Sequence, residues 1–452
     1  MNTKKILWGL VALLVLGNIV FLVASPLKRT DPEQELRNQT EEERNQFDQL
    51  SFWQELIKST NPEPREKVSA YDGLPIDADS EESLVTMMID NFSLARPQHT
   101  GIRSASIVYE SLVEGGITRL MLVMPYQDLE KVGPIRSARD YFVDYAEEYG
   151  GIYVHAGGSP TALERLAASE RVWNMDEDDR EGNNTYSFRD TAFAAPHNLF
   201  IDLFLVREFV EQSLWTPGKP LVEWCFNHDL KEEIMSHEES KTEMEYADRI
   251  EMNFSNDVFS SYFVQYRYNE LTQTYDRYYR KNKPQQHIDK ADGKTVSPKN
   301  MIVQIAPSFL IPDDEKERIE IQHFGTGDAL FFQNGEVRKG TWSKQKSTDP
   351  TAFFEENGAP LCLNLGQTWI SVLDSKALLE MSSNKNKEEI LGSFFPLSIM
   401  LSGCIGLAER RRKTLSKVHT GSSSRNSGVF GSSGTGTSHS KKLKTKVSIC
   451  AG

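Results

Sequence analysis

The sequence predicts a mixed α+β chain: an N-terminal α/β domain with a mixed sheet, then a β-rich meander domain, behind an N-terminal transmembrane anchor. Three observations predict it. Between residues 68 and 220, strand-like apolar runs alternate with stretches of helical periodicity. Between 253 and 374, short strands follow one another, punctuated by Asn334-Gly335 and Asn357-Gly358, pairs that favour hairpin turns. At the N-terminus, the uncharged run Ile6 to Ala24 follows Lys4 and Lys5, is long enough to cross a bilayer, and is closed by Pro26, Lys28 and Arg29.

Residues 1–29 are therefore expected to be a signal anchor with its N-terminus inside. A cleaved signal peptide is the alternative, since Val23-Ala24-Ser25 offers small residues, although Pro26 is a poor start for a mature chain. Residues 30–67 are charged, with scattered apolar positions (Leu36, Phe47, Leu50, Trp53, Leu56), and predict a solvated stalk ending in Asn61-Pro62-Glu63-Pro64.

In the α/β domain, 68–220, strands are expected at Leu84 to Ile89, Ser106 to Glu110 and Arg119 to Met124. A helix follows on the spacing of Tyr141, Phe142, Tyr145, Ala146 and Tyr149, stopped by Gly150-Gly151. Ser137 is its expected N-cap. The strand Ile152-Tyr153-Val154 leads into a second helix, with Ser159 at the cap and Pro160 at the first helical position. Residues 221–252 form a charged link. In the β-rich domain, 253–374, Tyr262, Val264, Tyr266 and Tyr268 alternate with polar residues, and Tyr275, Tyr278 and Tyr279 belong to the partner strand. Those aromatics either pack a core or line a sugar- or peptide-binding face. Met301 to Ile305 is a buried strand, a meander runs from Ile319 to Trp342, and Gly366 to Leu373 closes the domain. The tail, 375–452, holds a second uncharged run at 390–408 before Arg410, Arg411, Arg412 and Lys413, so a second membrane segment there is an expectation too.

Composition narrows the function. The 452 residues, 38% hydrophobic and 26% charged, provide for two or three globular units. Net charge is -14, yet from Lys376 onward 13 Lys or Arg face 4 Asp or Glu, so the body is strongly acidic, which argues against nucleic acid as a partner. The cysteines, Cys225, Cys362, Cys404 and Cys450, are widely spaced and predict neither a zinc cluster nor a disulfide framework, with Cys225 and Cys362 read as core residues.

Polar residues concentrate from Lys131 to Leu166. Glycines ahead of a capped helix, Gly157 and Gly158 before Ser159, can turn backbone N–H groups toward an anion. Arg136 and Arg139, placed by this reading in a helical first turn, oppose the dipole and call for a compensating anion. That anion is either a ligand or Glu110, Glu114 or Asp140 of the same domain. Asp90, Glu114, Arg119, Ser137, His155, Arg189 and His197, all close to element ends, complete the candidate ligand-binding set. His155 and His197 are the catalytic candidates, although a histidine at a strand end is more often a hydrogen-bonded core residue. The two histidines with Asp90 and Glu114 would be a conceivable metal set, but no spacing points to one, and neither metal nor cofactor is expected.

The segments Met88-Ile89-Asp90-Asn91, Arg96-Pro97-Gln98, Val113-Glu114-Gly115-Gly116-Ile117-Thr118-Arg119, Gly133-Pro134-Ile135-Arg136-Ser137-Ala138-Arg139, His155-Ala156-Gly157-Gly158-Ser159-Pro160 and Pro196-His197-Asn198-Leu199 resemble the bacterial YerB-like lipoprotein family. Phe324-Gly325-Thr326-Gly327, Phe332-Gln333-Asn334-Gly335, Gly340-Thr341-Trp342 and Leu365-Gly366-Gln367-Thr368-Trp369-Ile370 resemble its second domain. The resemblance spans about Tyr71 to Leu373 and implies a cell-envelope location. This chain departs from it in one respect: its first cysteine is Cys225, so no lipidation cysteine follows the apolar run, and a transmembrane anchor would replace the lipid.

These readings predict an extracytoplasmic, membrane-anchored binding or scaffolding protein of the bacterial envelope. An arginine-lined polar cleft would hold an anionic envelope ligand or a cell-wall assembly protein. The alternative is a hydrolase or transferase acting on an envelope polymer, with His155 or His197 as general base. No Walker loop, His-Glu-x-x-His or Gly-x-Ser-x-Gly signature supports it.

Overall fold

The computed structural model describes residues 67–383, apart from 78–82, 183, 214–215, 217, 228–244, 255–261 and 281, together with 445–447. The expected anchor and stalk, the middle of the charged link and the second apolar run lie outside the described residues. No helix among those described is long and apolar enough to cross a membrane.

The first half supplies β1 (Leu84–Asp90), β2 (Ile107–Leu112), β3 (Thr118–Pro125), α1 (Asp140–Tyr149), β4 (Gly151–His155), α2 (Pro160–Ala168), β5 (Val172–Asp176), β6 (Ser187–Arg189), β7 (Leu199–Ile201) and α3 (Leu203–Gln212). Then come β8 (Cys225–Phe226), β9 (Glu245–Tyr246), β10 (Arg249–Asn253), β11 (Phe263–Asn269), β12 (Thr274–Tyr279), β13 (Gln285–Gln286) and β14 (Asn300–Ile305). The chain continues through β15 (Ser308–Leu310), β16 (Ile319–Ile321), β17 (Gly325–Gln333), β18 (Glu336–Lys344), β19 (Ala352–Glu355), β20 (Cys362–Leu363), β21 (Thr368–Leu373), β22 (Leu378–Ser382) and β23 (Thr445–Val447).

An 11-stranded mixed sheet runs β19-β18-β17-β14-β21-β2-β3-β1-β4-β5, with β9 added beside β18. The α/β half and the β-rich half therefore share one sheet. Their seam is the parallel pairing of β2 with β21, Ile107 opposite Thr368. Every residue of β1 is buried, as a continuous apolar run in a sheet covered on both faces must be. Val85, Met87 and Ile89 pack on one side, Leu84 and Met88 on the other.

The second side is covered by α1, whose Tyr141, Phe142, Tyr145, Ala146 and Tyr149 are all buried, and by Ala162 and Leu166 of α2. The first side is covered by a six-stranded sheet, β13-β12-β11-β10-β22-β23, through Ile250, Val264, Tyr266 and Tyr275. Tyr262 and Tyr279 are buried as well, so these tyrosines pack a core rather than form an open binding face. Gly150 (φ 69°) and Gly151 (φ 79°) end α1 and return the chain into β4; a Cβ on Gly151 would lie 2.2 Å from the Leu84 carbonyl oxygen.

The inner face of α1 also carries buried charge. Asp144 bonds His323 Nε2 at 2.7 Å, and Glu148 accepts from Lys344 Nζ at 2.8 Å and from the Thr351 amide at 2.9 Å. All three partners belong to the β-rich half, so the helix is fixed by both halves.

Cys225 and Cys362 form a disulfide, which corrects the expectation of two separate core thiols. Their spacing of 137 residues carried no pairing signal; the parallel pairing of β8 with β20 brings them face to face.

Candidate functional site

The ends of β1 and β4 and the start of β3 lie together at one end of the large sheet, where the register sets Asp90 beside Arg119. Into this end runs an extended segment ahead of α1. The Arg136 amide donates to Met88 O at 2.9 Å and its carbonyl accepts from Ala156, while Ala138 donates to Gly157 O and accepts from Ser159.

This pairing corrects the expected cap. α1 begins at Asp140, with Arg139 at the cap position and no side-chain cap, so Ser137 lies outside the helix. Sheet-like partners on both sides hold 136–138 extended, and tertiary hydrogen bonds outweigh the local capping preference. Arg136 likewise precedes the helix instead of sitting in its first turn. Ser159 does cap α2, its Oγ accepting from the Ala162 amide at 3.3 Å.

The glycine loop is largely closed on itself. The Gly157 amide donates to Asp176 Oδ1 at 2.8 Å and the Ser159 amide to Ala138 O at 3.2 Å, so two of the three amides that an anion loop needs point inward. His155 is fully buried, with Nδ1 2.9 Å from Gly157 O and Nε2 2.6 Å from Asn174 Oδ1. Both nitrogens are engaged, which makes it a fastener of this loop and leaves it no free nitrogen for base chemistry.

Of the three internal anions considered for the arginines, Glu114 is the partner. Arg139 grips it with Nε, at 2.8 Å, and with Nη2. Arg119 donates Nη1 to Ser137 O at 2.6 Å and brings Nη2 within 3.7 Å of Glu114. Burial alone would raise the Glu114 pKa, but the Arg139 hydrogen bonds and the charges of Arg119 and Arg139 bring it down to about 2. Arg119 falls to about 10, through burial and the like charge of Arg139. Glu110 lies elsewhere, as described below, and Asp140 accepts from Ser159 and Thr161. Arg189 is bound to Asp179 and Asn198 on β6, and among the described residues it makes no contact with the Asp90 cluster.

Asp90 gathers the remaining candidates. Its Oδ1 accepts the Phe92 amide at 2.9 Å; its Oδ2 lies 2.7 Å from His197 Nδ1 and 3.4 Å from Arg136 Nε. The carboxylate is 5% exposed, His197 13% and Arg136 30%, so the acid is buried while its two partners reach the surface. Phe92 stacks on the His197 ring at 4.8 Å. A carboxylate oxygen accepts, so His197 Nδ1 carries the proton of this bond, and in the neutral tautomer Nε2 is the acceptor nitrogen. Among the described residues, neither His197 Nε2 nor the terminal nitrogens of Arg136 has a hydrogen-bond partner.

A buried chain of donors beneath this cluster escaped the sequence reading. Arg277 Nη1 lies 2.9 Å from His287 Nδ1, His287 Nε2 2.8 Å from His99 Nδ1, and His99 Nε2 2.7 Å from the Asp90 carbonyl. A guanidinium can only donate, so His287 accepts at Nδ1 and donates from Nε2. His99 must do the same, and its proton ends on Asp90 O. Every tautomer follows from the first donor.

Burial holds both rings neutral, His99 down at about 4 and His287 well below its ordinary value. Burial opposes the Arg277 charge too, but the Glu110 carboxylate outweighs it and raises the arginine. The sequence did hold one signal: Tyr275, Arg277 and Tyr279 alternate along β12, which puts a cation on the apolar face of a strand.

The fold and its site together define a two-part chain, an α/β half and a β-rich half fused through one sheet, with an arginine and histidine cluster on the first half braced by the second. Residues 72–216 match the family described as "Protein of unknown function (DUF3048) N-terminal domain", and residues 250–370 match its C-terminal domain. The chain belongs to this family, the YerB-like proteins. It is 28% identical over 301 residues to "Putative lipoprotein YerB" of Bacillus subtilis (strain 168), covering 65% of this chain and 82% of that one. The crystal structure of the Bacillus subtilis YerB protein superposes with a TM-score of 0.57 at 26% identity, covering 68% of this chain and 97% of that one.

Proposed function

We propose that this is a membrane-anchored extracytoplasmic protein of the bacterial envelope that holds an anionic group of an envelope ligand, or of a wall-assembly partner, against Arg136. One observation carries the reading: a guanidinium anchored through Nε on a buried carboxylate, with both terminal nitrogens left for a guest. Such a fork suits two oxygens of a phosphate or carboxylate.

Arg119 and Arg139 act behind it. The guanidiniums of Arg119, Arg136 and Arg139 stand against the carboxylates of Asp90 and Glu114, with Asp140 and Asp176 also at this end of the sheet. The location is supported by the lipoprotein relative, by the apolar run at the N-terminus, and by the Cys225–Cys362 disulfide, a bond that persists in oxidising compartments.

The test is a thermal-shift screen of the full chain in detergent against inorganic phosphate, muramyl peptides and teichoic acid fragments, beside Arg136→Gln. A stabilisation that the variant loses supports the reading. No shift with any anion sinks it.

A further inference from the structure

We infer that the Asp90–His197 pair makes this site a metal-independent phosphodiesterase, with His197 as general base and Arg136 holding the phosphoryl group. The inference rests on the anion reading above. Its own ground is that both groups hang on the same oxygen. Asp90 Oδ2 lies 2.7 Å from His197 Nδ1 and 3.4 Å from Arg136 Nε, so one buried carboxylate orients a base and an anion fork together. The stacked Phe92 ring and the Phe92 amide on Oδ1 fix the other side of each group. His197 therefore has the three features a positioned base requires: a partner that sets its tautomer, a ring that cannot rotate freely, and an open Nε2.

This juxtaposition also selects the substrate class. A carboxylate gripped by Arg136 would put an unreactive group beside His197, with any scissile bond farther off. In a phosphodiester the electrophilic atom lies inside the anion itself, so the group that the fork binds is the group within reach of the base. A diester presents two non-bridging oxygens, which the two terminal nitrogens of Arg136 can receive while its Nε stays on Asp90.

In the step, His197 Nε2 takes a proton from water as the water oxygen bonds to phosphorus, and the bond from phosphorus to the alkoxide on the opposite side breaks. The alkoxide takes its proton from solvent and the imidazolium returns its own. The products are a phosphate monoester and an alcohol. Water is the only co-reactant and nothing is oxidised or reduced. Arg136, with Arg119 and Arg139 behind it, stabilises the charge that builds on the non-bridging oxygens.

The experiment uses the full chain in detergent with EDTA present, and measures phosphate binding alongside release of nitrophenolate from bis(p-nitrophenyl) phosphate. Expected are phosphate binding and turnover that EDTA does not remove. His197→Gln should slow turnover by about 100-fold or more while phosphate still binds, and Arg136→Gln should lose both. The neutral ester p-nitrophenyl acetate should not be turned over at a comparable rate. Phosphate binding without turnover of the diester overturns the inference and leaves the binding reading standing, as does turnover that His197→Gln retains or that the acetate matches. If phosphate does not bind at all, the binding reading falls and the inference with it.

Discussion

Arg277 donates to both oxygens of Glu110, at 3.0 and 2.8 Å, although 167 residues separate the two and neither side chain is exposed. Glu110 lies on β2 and Arg277 on β12, so the pair joins the two family halves across the interior of the molecule. Asn91 and Thr118 complete the carboxylate's partners. Removing one charge leaves the other buried and uncompensated. Arg277→Met is expected to destabilise the protein by about 3–5 kcal/mol. Glu110→Leu with Arg277→Met should recover a large part of that loss, since no ion then remains unpaired. Urea midpoints of the single and double variants check both statements; a single variant within about 1 kcal/mol of the parent would contradict this account.

The histidine ladder predicts a pH dependence. His99 and His287 have folded pKa values below their ordinary 6.5, His99 at about 4. The unfolded chain therefore binds more protons than the folded one as pH falls from about 6.5 toward 4. Stability is full above that window and is lost through it, by a little over 1 kcal/mol per pH unit for each ring. His99→Asn should flatten the slope between pH 6 and 4 while costing stability at pH 7.5. Denaturation curves across that range provide the measurement, and an unchanged slope would show that burial does not hold the ring neutral.

Glu114 predicts a second, more acidic window. Its folded pKa of about 2 lies below the usual carboxylate value of 4.5, so its contribution is present above about pH 4.5 and disappears as pH falls toward 2. With a quarter of its side chain in solvent, the effect is discounted to on the order of 2 kcal/mol. Glu114→Gln should lower stability at pH 7 by that amount and leave the remaining acid titration shallower. Because Arg119 and Arg139 lose their shared partner in this variant, phosphate affinity should rise if their charge reaches the Arg136 fork. Titration calorimetry with phosphate tests that second outcome.

The parts of this fold that could be read in the sequence are those with local causes. The apolar run of β1, the periodicity of α1, the cap at Ser159 and the Asn334-Gly335 turn, with φ of 55° and 80°, each follow from a few neighbouring residues. What could not be read depends on distant partners. The parallel pairing of β2 with β21 has no local signature, so the sharing of one sheet by the two halves could not be read. Ser137 had the chemistry of a cap, but the pairing of its neighbours with Met88, Ala156 and Gly157 prevailed. The candidate site divided in the same way. The motifs brought Asp90, Arg136 and His197 forward, while the opposite half's contribution, Arg277 and His287, carried only the trace of a charge at an inward position of β12.

The disulfide offers the last prediction, because it joins segments that little else ties. Cys225 and Cys362 pair two short strands, β8 and β20, each of two residues. Asn227, just past β8, bonds Leu363 O at 2.8 Å, and its side chain reaches Asn364 at 3.2 Å. With 137 residues of separation, the cross-link removes much loop freedom from the unfolded chain, and about 2–4 kcal/mol of stability should be lost on its reduction. Cys225→Ser with Cys362→Ser should reproduce that loss without reductant and make the protein insensitive to dithiothreitol. Phosphate affinity should stay unchanged in the double variant, since Asp90, Arg136 and His197 are held by β1, β4 and the Arg277 ladder and not by β8. Urea midpoints with and without reductant, beside phosphate titrations, separate the two effects. Loss of affinity in a folded double variant would show that the β8 segment bears on the site.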